Sequence, residues 1–361
     1  MHHRLPEEPR VAVVGATGAV GHEFLSVLSQ RRFPLAEISL FASPRSAGTR
    51  VPFVRDGRRH ELPVQPLEEG SLQGFDVAFF SAGKGVSKAF APAAAAAGAL
   101  VVDNSSAFRM DPAYPLVVPE VNGEVLDRLD GPTIVANPNC STIIALVAVH
   151  PLHAKARVKR MVVSTYQAAS GAGAQAMREL EQQARDFAAD QPLRTEIFGR
   201  QYLFNVFSHN SAVGADGYNE EETKLLLESR KIWSDDSVAI TATCVRVPTL
   251  RAHCESINLS FETPLSEDEA RELLRRAPGV EVIDDRAGNR FPEPLAAAGR
   301  DPVLVGRIRG DRSQAPGMGL DLFVAGDQLR KGAALNAVQI AERLLPARRG
   351  AATAELVGAR R

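Results

Sequence analysis

Apolar and polar positions change their period several times along the chain, and each change marks an element. Arg10-Val11-Ala12-Val13-Val14 is a short β-branched run ending in Gly15-Ala16-Thr17-Gly18-Ala19-Val20-Gly21, after which Phe24, Leu25 and Leu28 recur at helical spacing. Strand, glycine turn and amphipathic helix in that order open a Rossmann unit. Ile38 to Ser43 predicts a second strand, Phe75 to Gly83 a buried third and Ala99 to Asp103 a fourth, with an alanine-rich helix over 86–97. A further apolar strand, Thr133 to Ala136, is separated from an apolar helical run, Ile143 to Val149, by the polar turn Asn137-Pro138-Asn139-Cys140-Ser141-Thr142. Strands and helices alternating in this way predict a doubly wound parallel sheet.

Beyond the polar turn the strands lengthen and the helices thin out. Arg160 to Gln167 predicts a strand that passes through the flexible turn Ala168 to Gly173 into a helix over 175–189. Asn219 with Glu222, and Ser266 with Glu269, are capping boxes starting helices that end near Lys231 and Ala277. Strands over 237–247, 256–262, 302–308 and 319–326 predict an antiparallel or mixed sheet backed by helices. A last helix over 332–345 carries Leu335, Val338, Ile340 and Leu344, which suit the face of the first sheet, and the Arg-, Ala- and Gly-rich tail 347–361 is expected to fray. The expected fold class is α/β: an N-terminal Rossmann-type doubly wound parallel sheet plus an α+β domain with a mixed sheet. The expected domains are 1–140, completed by the C-terminal helix of about 330–361, and 141–329.

Composition narrows the partners. A chain of 361 residues suits two cores, and 45% hydrophobic with 24% charged residues is ordinary for a water-soluble protein. A net charge of −1 gives no reason to expect nucleic acid or an anionic membrane. Cys140, Cys244 and Cys254 are an odd, unpaired set that fits a reducing compartment. With no apolar signal segment in Met1 to Pro9 and no stretch long enough to span a bilayer, the expected location is cytoplasmic. No HxH or HExxH pattern occurs, His150 and His153 suit solvated or capping roles, and no metal is expected.

The chemistry concentrates at Cys140. At or just before a helix N-terminus, free N–H groups and the helix dipole stabilise a thiolate. A buried structural cysteine is the bland competitor, but it does not ask for Pro, Asn, Ser and Thr around it. Gly15, Gly18 and Gly21 leave room for a pyrophosphate on a helix N-terminus. Arg45 with Ser43 and Ser46, after the second strand, suits a 2′-phosphate and favours NADP over NAD, although a solvent-exposed basic turn would look the same. Asn104 to Arg109 brings hydroxyls and a guanidinium to the same sheet edge, Cys244 and Arg246 share one strand face, and His253 follows Arg246 after a short turn. A cysteine beside a dinucleotide turn predicts an acyl group on sulfur and hydride transfer at its carbon.

Taken together, GATGAVG at 15–21, NSSAFRM at 104–110, NPNCST at 137–142, QAASGAG at 167–173, GYNEEETK at 217–224, CVRVP at 244–248 and ALNAVQIAE at 334–342 resemble the aspartate-semialdehyde dehydrogenases over nearly the whole chain. The resemblance implies NADPH-dependent reduction of 4-phospho-L-aspartate to L-aspartate 4-semialdehyde and phosphate, a step serving lysine, threonine, methionine and isoleucine synthesis. It implies Cys140 as nucleophile, His253 as acid/base, Gln167 as orienting group, Arg246 on the substrate carboxylate, Glu221 on its ammonium, and Arg109 with Lys224 on the phosphate. Backbone donors at the start of the cysteine helix would share the oxyanion with protonated His253. The implied cofactor set adds Thr17, Ala19, Val20, Ser81, Ser170, Gly171 and Asn336 to the residues above, and the implied assembly is a homodimer or homotetramer. Lys84 and Ser208 depart from the family pattern, and His209 is expected to be structural. An N-acetyl-glutamyl-phosphate reductase would have no free ammonium for Glu221 to meet. A glyceraldehyde-phosphate-type enzyme would have no use for the carboxylate clamp, and a non-catalytic homologue would not need Cys140, Gln167, Arg246 and His253 together.

Overall fold

A computed structural model describes residues 4–346, so the expected fraying of 347–361 lies outside the described residues. The first half of the chain forms β1 (Arg10–Val14), α1 (Ala19–Gln30), β2 (Glu37–Ala42), β3 (Arg50–Arg55), β4 (Arg58–Pro66), β5 (Val77–Phe80), α2 (Lys84–Ala96), β6 (Leu100–Asp103), α3 (Pro119–Asn122) and β7 (Ile134–Ala136). The strands stand in the order β3-β4-β2-β1-β5-β6-β7, parallel at every pairing except β3 with β4. Parallel strands covered on both faces need apolar residues at successive positions, and all four residues of both β5 and β6 are buried. The β3–β4 hairpin is absent from the expected strands. It turns at Asp56 and Gly57, both at positive φ, the two-residue geometry that matches strand twist.

The second half forms α4 (Cys140–Ala156), β8 (Val158–Gln167), α5 (Ala174–Ala188), β9 (Phe207–Ser208), α6 (Glu220–Trp233), β10 (Ala239–Arg246), β11 (His253–Phe261), α7 (Glu267–Arg276), β12 (Val280–Val282), α8 (Pro294–Ala297), β13 (Val303–Gly310), β14 (Gly319–Gly326) and α9 (Leu335–Leu344). Its sheet runs β12-β13-β14-β11-β8-β10-β9 and is mixed, with β8–β10 and β12–β13 parallel and the other pairs antiparallel. Both capping boxes form, Asn219 with Glu222 and Ser266 with Glu269.

Residues 141–149 of α4 are all buried, with no polar face. A helix apolar all round has neighbours on every side. One core runs from Phe80 and Val101 of the first sheet through Ile143 to Val149 and on to Ile257, Leu259 and Val324 of the second. The opposite face of the first sheet is covered by α1 and α9, where Phe24, Leu28, Leu335, Val338, Ile340 and Leu344 pack with Val11, Val13 and Phe79. The expected regular start of the last helix is instead a π-helical turn, Arg330–Ala334, a widened coil of the kind that accompanies functional sites.

Candidate active site

β7 ends at Ala136, and the polar residues after it turn into α4. Asn139 caps that helix: its Oδ1 accepts from Ser141 N at 3.0 Å and Thr142 N at 3.3 Å, which places Cys140 at the first helical position. The cap corrects one expectation. Two first-turn N–H groups are consumed by Asn139 Oδ1 and that of Ile143 by Asn139 O, leaving the Cys140 N–H as the first-turn donor with no acceptor among the described residues. Gly332 of the π-helical turn lies against the cysteine so closely that a Cβ there would sit 2.8 Å from Cys140 Cβ.

Two carboxylates of α6 brace the turn. Glu228 Oε2 accepts from Asn139 N at 2.6 Å, and Glu221 Oε1 accepts from Asn139 Nδ2 at 2.9 Å. Glu228 also holds Arg109, whose Nη1 donates to Oε1 at 3.1 Å, while Arg109 Nη2 donates to Asn104 O. Glu221 Oε2 accepts from Lys224 at 3.3 Å, an i, i+3 pair in which the carboxylate is buried. Burial alone would raise the Glu221 carboxyl, but His209, Lys224 and the hydrogen bonds from Asn139 and Gln167 outweigh it and hold it at about 2.

Gln167 and Arg246 are register partners at the ends of parallel β8 and β10, so both side chains emerge at one edge. Gln167 Nε2 donates to Ser141 Oγ, Thr165 Oγ1 and Glu221 Oε1. Arg246 Nη1 donates to Ala168 O at 3.2 Å, Nε to Asn210 Oδ1, and Nη2 to His209 Nε2 at 2.7 Å. His209 therefore sits in the site as the neutral partner of Arg246. Burial, with Arg246 and Lys224 adding to it and Glu221 opposing, lowers His209 to about 4.

His253 opens β11 and is fully buried. Its Nδ1 accepts from Ala168 N at 3.1 Å, so the neutral ring carries its proton on Nε2, which has no partner among the described residues. Burial and then Arg246 push this imidazole down to about 3. Nε2 faces Gly171, where a Cβ would lie 2.9 Å from both His253 Nε2 and Arg246 Nη1. Burial and the Glu221 carboxylate push the Cys140 thiol up to about 12, against Arg109 and Arg246. The free site thus holds a neutral thiol and a neutral imidazole, rather than the thiolate that helix-end electrostatics alone would favour.

A cavity of about 340 Å³ is lined among others by Cys140, Gln167, Arg109, Glu221, Lys224 and Arg246, with His253 packed against Gly171 of its wall. Val20, Ser81, Ser170 and Gly171 of the expected cofactor set line it too. The glycine turn fits a dinucleotide: α1 starts at Gly18 with no side-chain cap, and a Cβ at Gly21 would lie 2.3 Å from Gly15 O. Ser43, Arg45 and Ser46 stand at the end of β2, with Ser46 Oγ 3.5 Å from Thr17 Oγ1. Asn336 is fully buried: its Nδ2 donates to Val117 O and Asn137 Oδ1, and its Oδ1 accepts from Lys331. It reaches the cavity through Asn137. No group of three or more His, Cys, Asp or Glu among the described residues is placed to hold a metal, and His153 instead stacks on Trp233 and accepts from Val158 N.

Glu228 is the site residue that sequence reasoning missed, and His209, expected to be structural, lines the cavity as the partner of Arg246. Glu221, Lys224 and Glu228 fall at spacings of three and four along α6, one helical stripe, and that spacing was a usable signal. Nothing local marks His209.

Two family models match the chain: the semialdehyde dehydrogenase NAD binding domain over residues 10–129 and the semialdehyde dehydrogenase dimerisation domain over residues 149–331. The chain is 51% identical to an aspartate-semialdehyde dehydrogenase of Synechocystis sp., over 94% of this chain and 98% of the relative. Among solved structures it resembles aspartate semialdehyde dehydrogenase II of Vibrio cholerae, complexed with ASA, at TM-score 0.88 and 40% identity, covering 93% of this chain and 98% of that one. It also resembles aspartate semialdehyde dehydrogenase of Candida albicans, with NADP, at TM-score 0.71 and 25% identity, covering 93% and 98%.

Proposed function

The chain belongs to the aspartate-semialdehyde dehydrogenase family, and on that premise we propose how its own residues carry out the reductive dephosphorylation of 4-phospho-L-aspartate to L-aspartate 4-semialdehyde. It is an oxidoreductase of aspartate-family amino-acid biosynthesis. The observation that carries the mechanism is the placement of Cys140, Arg109, Arg246, Glu221 and Lys224 around one cavity that also reaches the glycine turn.

Arg246 takes the substrate α-carboxylate, for which its planar fork is suited, and ionised Glu221 takes the α-ammonium. Arg109 and Lys224 hold the phosphate. Cys140 Sγ attacks the acyl carbon, the C–O bond to phosphate breaks, and the thiol proton leaves with the phosphate. A thioester on Cys140 remains. When bound, the nicotinamide supplies the hydride. The oxyanion formed at the thioester carbon is met by the Cys140 N–H and by the Nε2–H of His253, and its collapse releases the aldehyde and the sulfur. His253 acts in this direction as a hydrogen-bond donor that keeps its proton, because the ring is neutral and its other nitrogen already accepts from Ala168 N; the thiolate released on collapse takes its proton from water.

The cofactor is proposed to be NADP, supported by Arg45 with Ser43 and Ser46 at the end of β2 and by the uncapped N-terminus of α1. A cytoplasmic setting is supported by three free thiols, and no helix among the described residues is long and apolar enough to cross a membrane. Assembly as a homodimer or homotetramer through the segment matched by the dimerisation model is part of the same reading. The deciding assay is NADP reduction with aspartate semialdehyde and phosphate or arsenate, repeated with NAD and with N-acetyl-glutamate semialdehyde. Turnover with the first pair and little with the others is expected. Preference for the N-acetylated aldehyde would overturn the substrate assignment.

A further inference from the structure

Ala252, the residue before His253, is fully buried and sits at φ +71°, a left-handed backbone that alanine rarely adopts. Such a conformation persists only where the surroundings over-determine it. Here they do so from two sides. Gln328 Oε1 accepts from Ala252 N at 3.0 Å, and Gln328 Nε2 donates to Ser170 Oγ on the cavity wall. One residue earlier, Arg251 Nε donates to Asp327 Oδ2 at 2.6 Å, and Asp327 is itself fixed by the N–H groups of Gly299, Leu329 and Arg330.

The remaining arm of Arg251 crosses to α1, the helix that covers the first sheet. Its Nη2 donates to Glu23 Oε2 at 2.7 Å, and Glu23 Oε1 accepts from Arg330 Nη1 at 2.8 Å. Glu23 lies on α1, one turn into the helix whose uncapped start faces the glycine turn, and it is buried. A continuous set of charged hydrogen bonds therefore runs from the cofactor helix through Arg251 to the backbone that aims His253.

Resting on the reading of His253 as oxyanion donor, we propose that Arg251 is a positioning residue for His253 and that the Glu23–Arg251 ion pair couples the cofactor helix to that donor. The coupling acts on the aim of the imidazole, because Arg251 lies two residues before His253 and both of its hydrogen-bonding arms are held by Asp327 and Glu23. A shift of the donor of about 1 Å is enough to cost on the order of 10²-fold in rate.

The experiment compares R251A, R251K, E23Q and E23Q/R251A in steady-state NADP reduction, with C140A as control and circular dichroism on each. R251A is expected to lose about 10- to 100-fold in kcat with less than about a threefold change in KM for the semialdehyde. R251K should recover part of that loss, E23Q should lose several-fold, and the double variant should fall no lower than R251A, the non-additivity of residues acting through one link. Wild-type kcat in R251A, a loss confined to KM, or multiplying losses in the double variant would overturn the inference. If R251A does not fold, the near-isosteric E23Q decides, and unchanged kcat there is equally fatal. Turnover by C140A would instead overturn the covalent reading itself, whatever the Arg251 variants do.

Discussion

The glycine turn at 15–21 and the cysteine turn at 137–142 leave the same edge of one parallel sheet, and each feeds a helix N-terminus. They are built in opposite ways. At the glycine turn no side chain caps α1, and the fold is held by close backbone approach, Gly21 on Gly15 and Gly15 on Ser81. At the cysteine turn Asn139 consumes the helix donors, and two buried carboxylates of α6 fix the cap. A helix end that receives a ligand's charge keeps its N–H groups free. One that presents a nucleophile commits them, so that the sulfur is held in place and few donors remain for the oxyanion.

The contrast can be broken most severely at the sulfur. C140A should lower turnover by on the order of 10⁴-fold or more while NADPH binding, followed by nicotinamide fluorescence, is unchanged. E228A comes next: removing one partner of the buried Arg109–Glu228 pair, and with it the acceptor for Asn139 N, should cost about 3–5 kcal/mol in urea unfolding, whereas E228Q keeps the shape and should cost less. G21A should act on the other turn alone, raising KM for NADPH by about tenfold or more with little change in the alkylation rate of Cys140, because its Cβ meets backbone rather than a movable side chain. A smaller effect, about 1–2 kcal/mol in stability, is expected for N139A, and no Gly18 substitution can reproduce it, since Gly18 offers no cap to lose.

Acid sensitivity sharpens the comparison further, because three strongly lowered groups lie on the cysteine side. His209 and His253 are held near 4 and 3 against an ordinary 6.5, and Glu221 near 2 against 4.5. In each case the folded value is the lower one, so the unfolded chain binds the proton first. Their stabilisation is complete above about pH 6.5, falls as the pH drops towards 4 and 3 through the histidines, and falls again between 4.5 and 2 through Glu221. Urea midpoints measured from pH 7 to pH 4 should decline for the wild type and decline about half as steeply for H209Q, where His253 alone keeps its share of the slope. Nitrogen NMR of labelled histidine should find His253 as the Nε2–H tautomer at pH 7. An imidazolium or an Nδ1–H ring would refute the donor role.

Legibility in the sequence follows the same divide. The glycine turn, both capping boxes and the position of Cys140 rest on neighbours within a few residues, and periodicity and capping chemistry report such contacts directly. The β3–β4 hairpin was legible in principle through Asp56-Gly57 but lacks clean alternation, since Arg, Glu and Pro interrupt its strands. Glu228 meets Asn139, and His209 meets Arg246, through the tertiary fold alone. The stripe of Glu221, Lys224 and Glu228 along α6 marks a shared face but does not name the nucleophile that the face braces. The charge state of Cys140 is illegible for a related reason: the helix end that favours a thiolate is local, whereas the burial and the Glu221 charge that oppose it are products of packing.

The return of α9 to the first sheet sets a timetable for synthesis. Val11, Val13, Val77 and Phe79 share their core with residues 335–344, so the part of this face that α9 and not α1 covers stays open while roughly 250 further residues are made after Phe79, on the order of 12–50 s at ordinary rates of translation. The nascent chain must carry an exposed apolar surface through that interval. A release just before residue 335 would strand it there, which makes the far end of the gene, remote from every catalytic codon, a place where truncation costs solubility first.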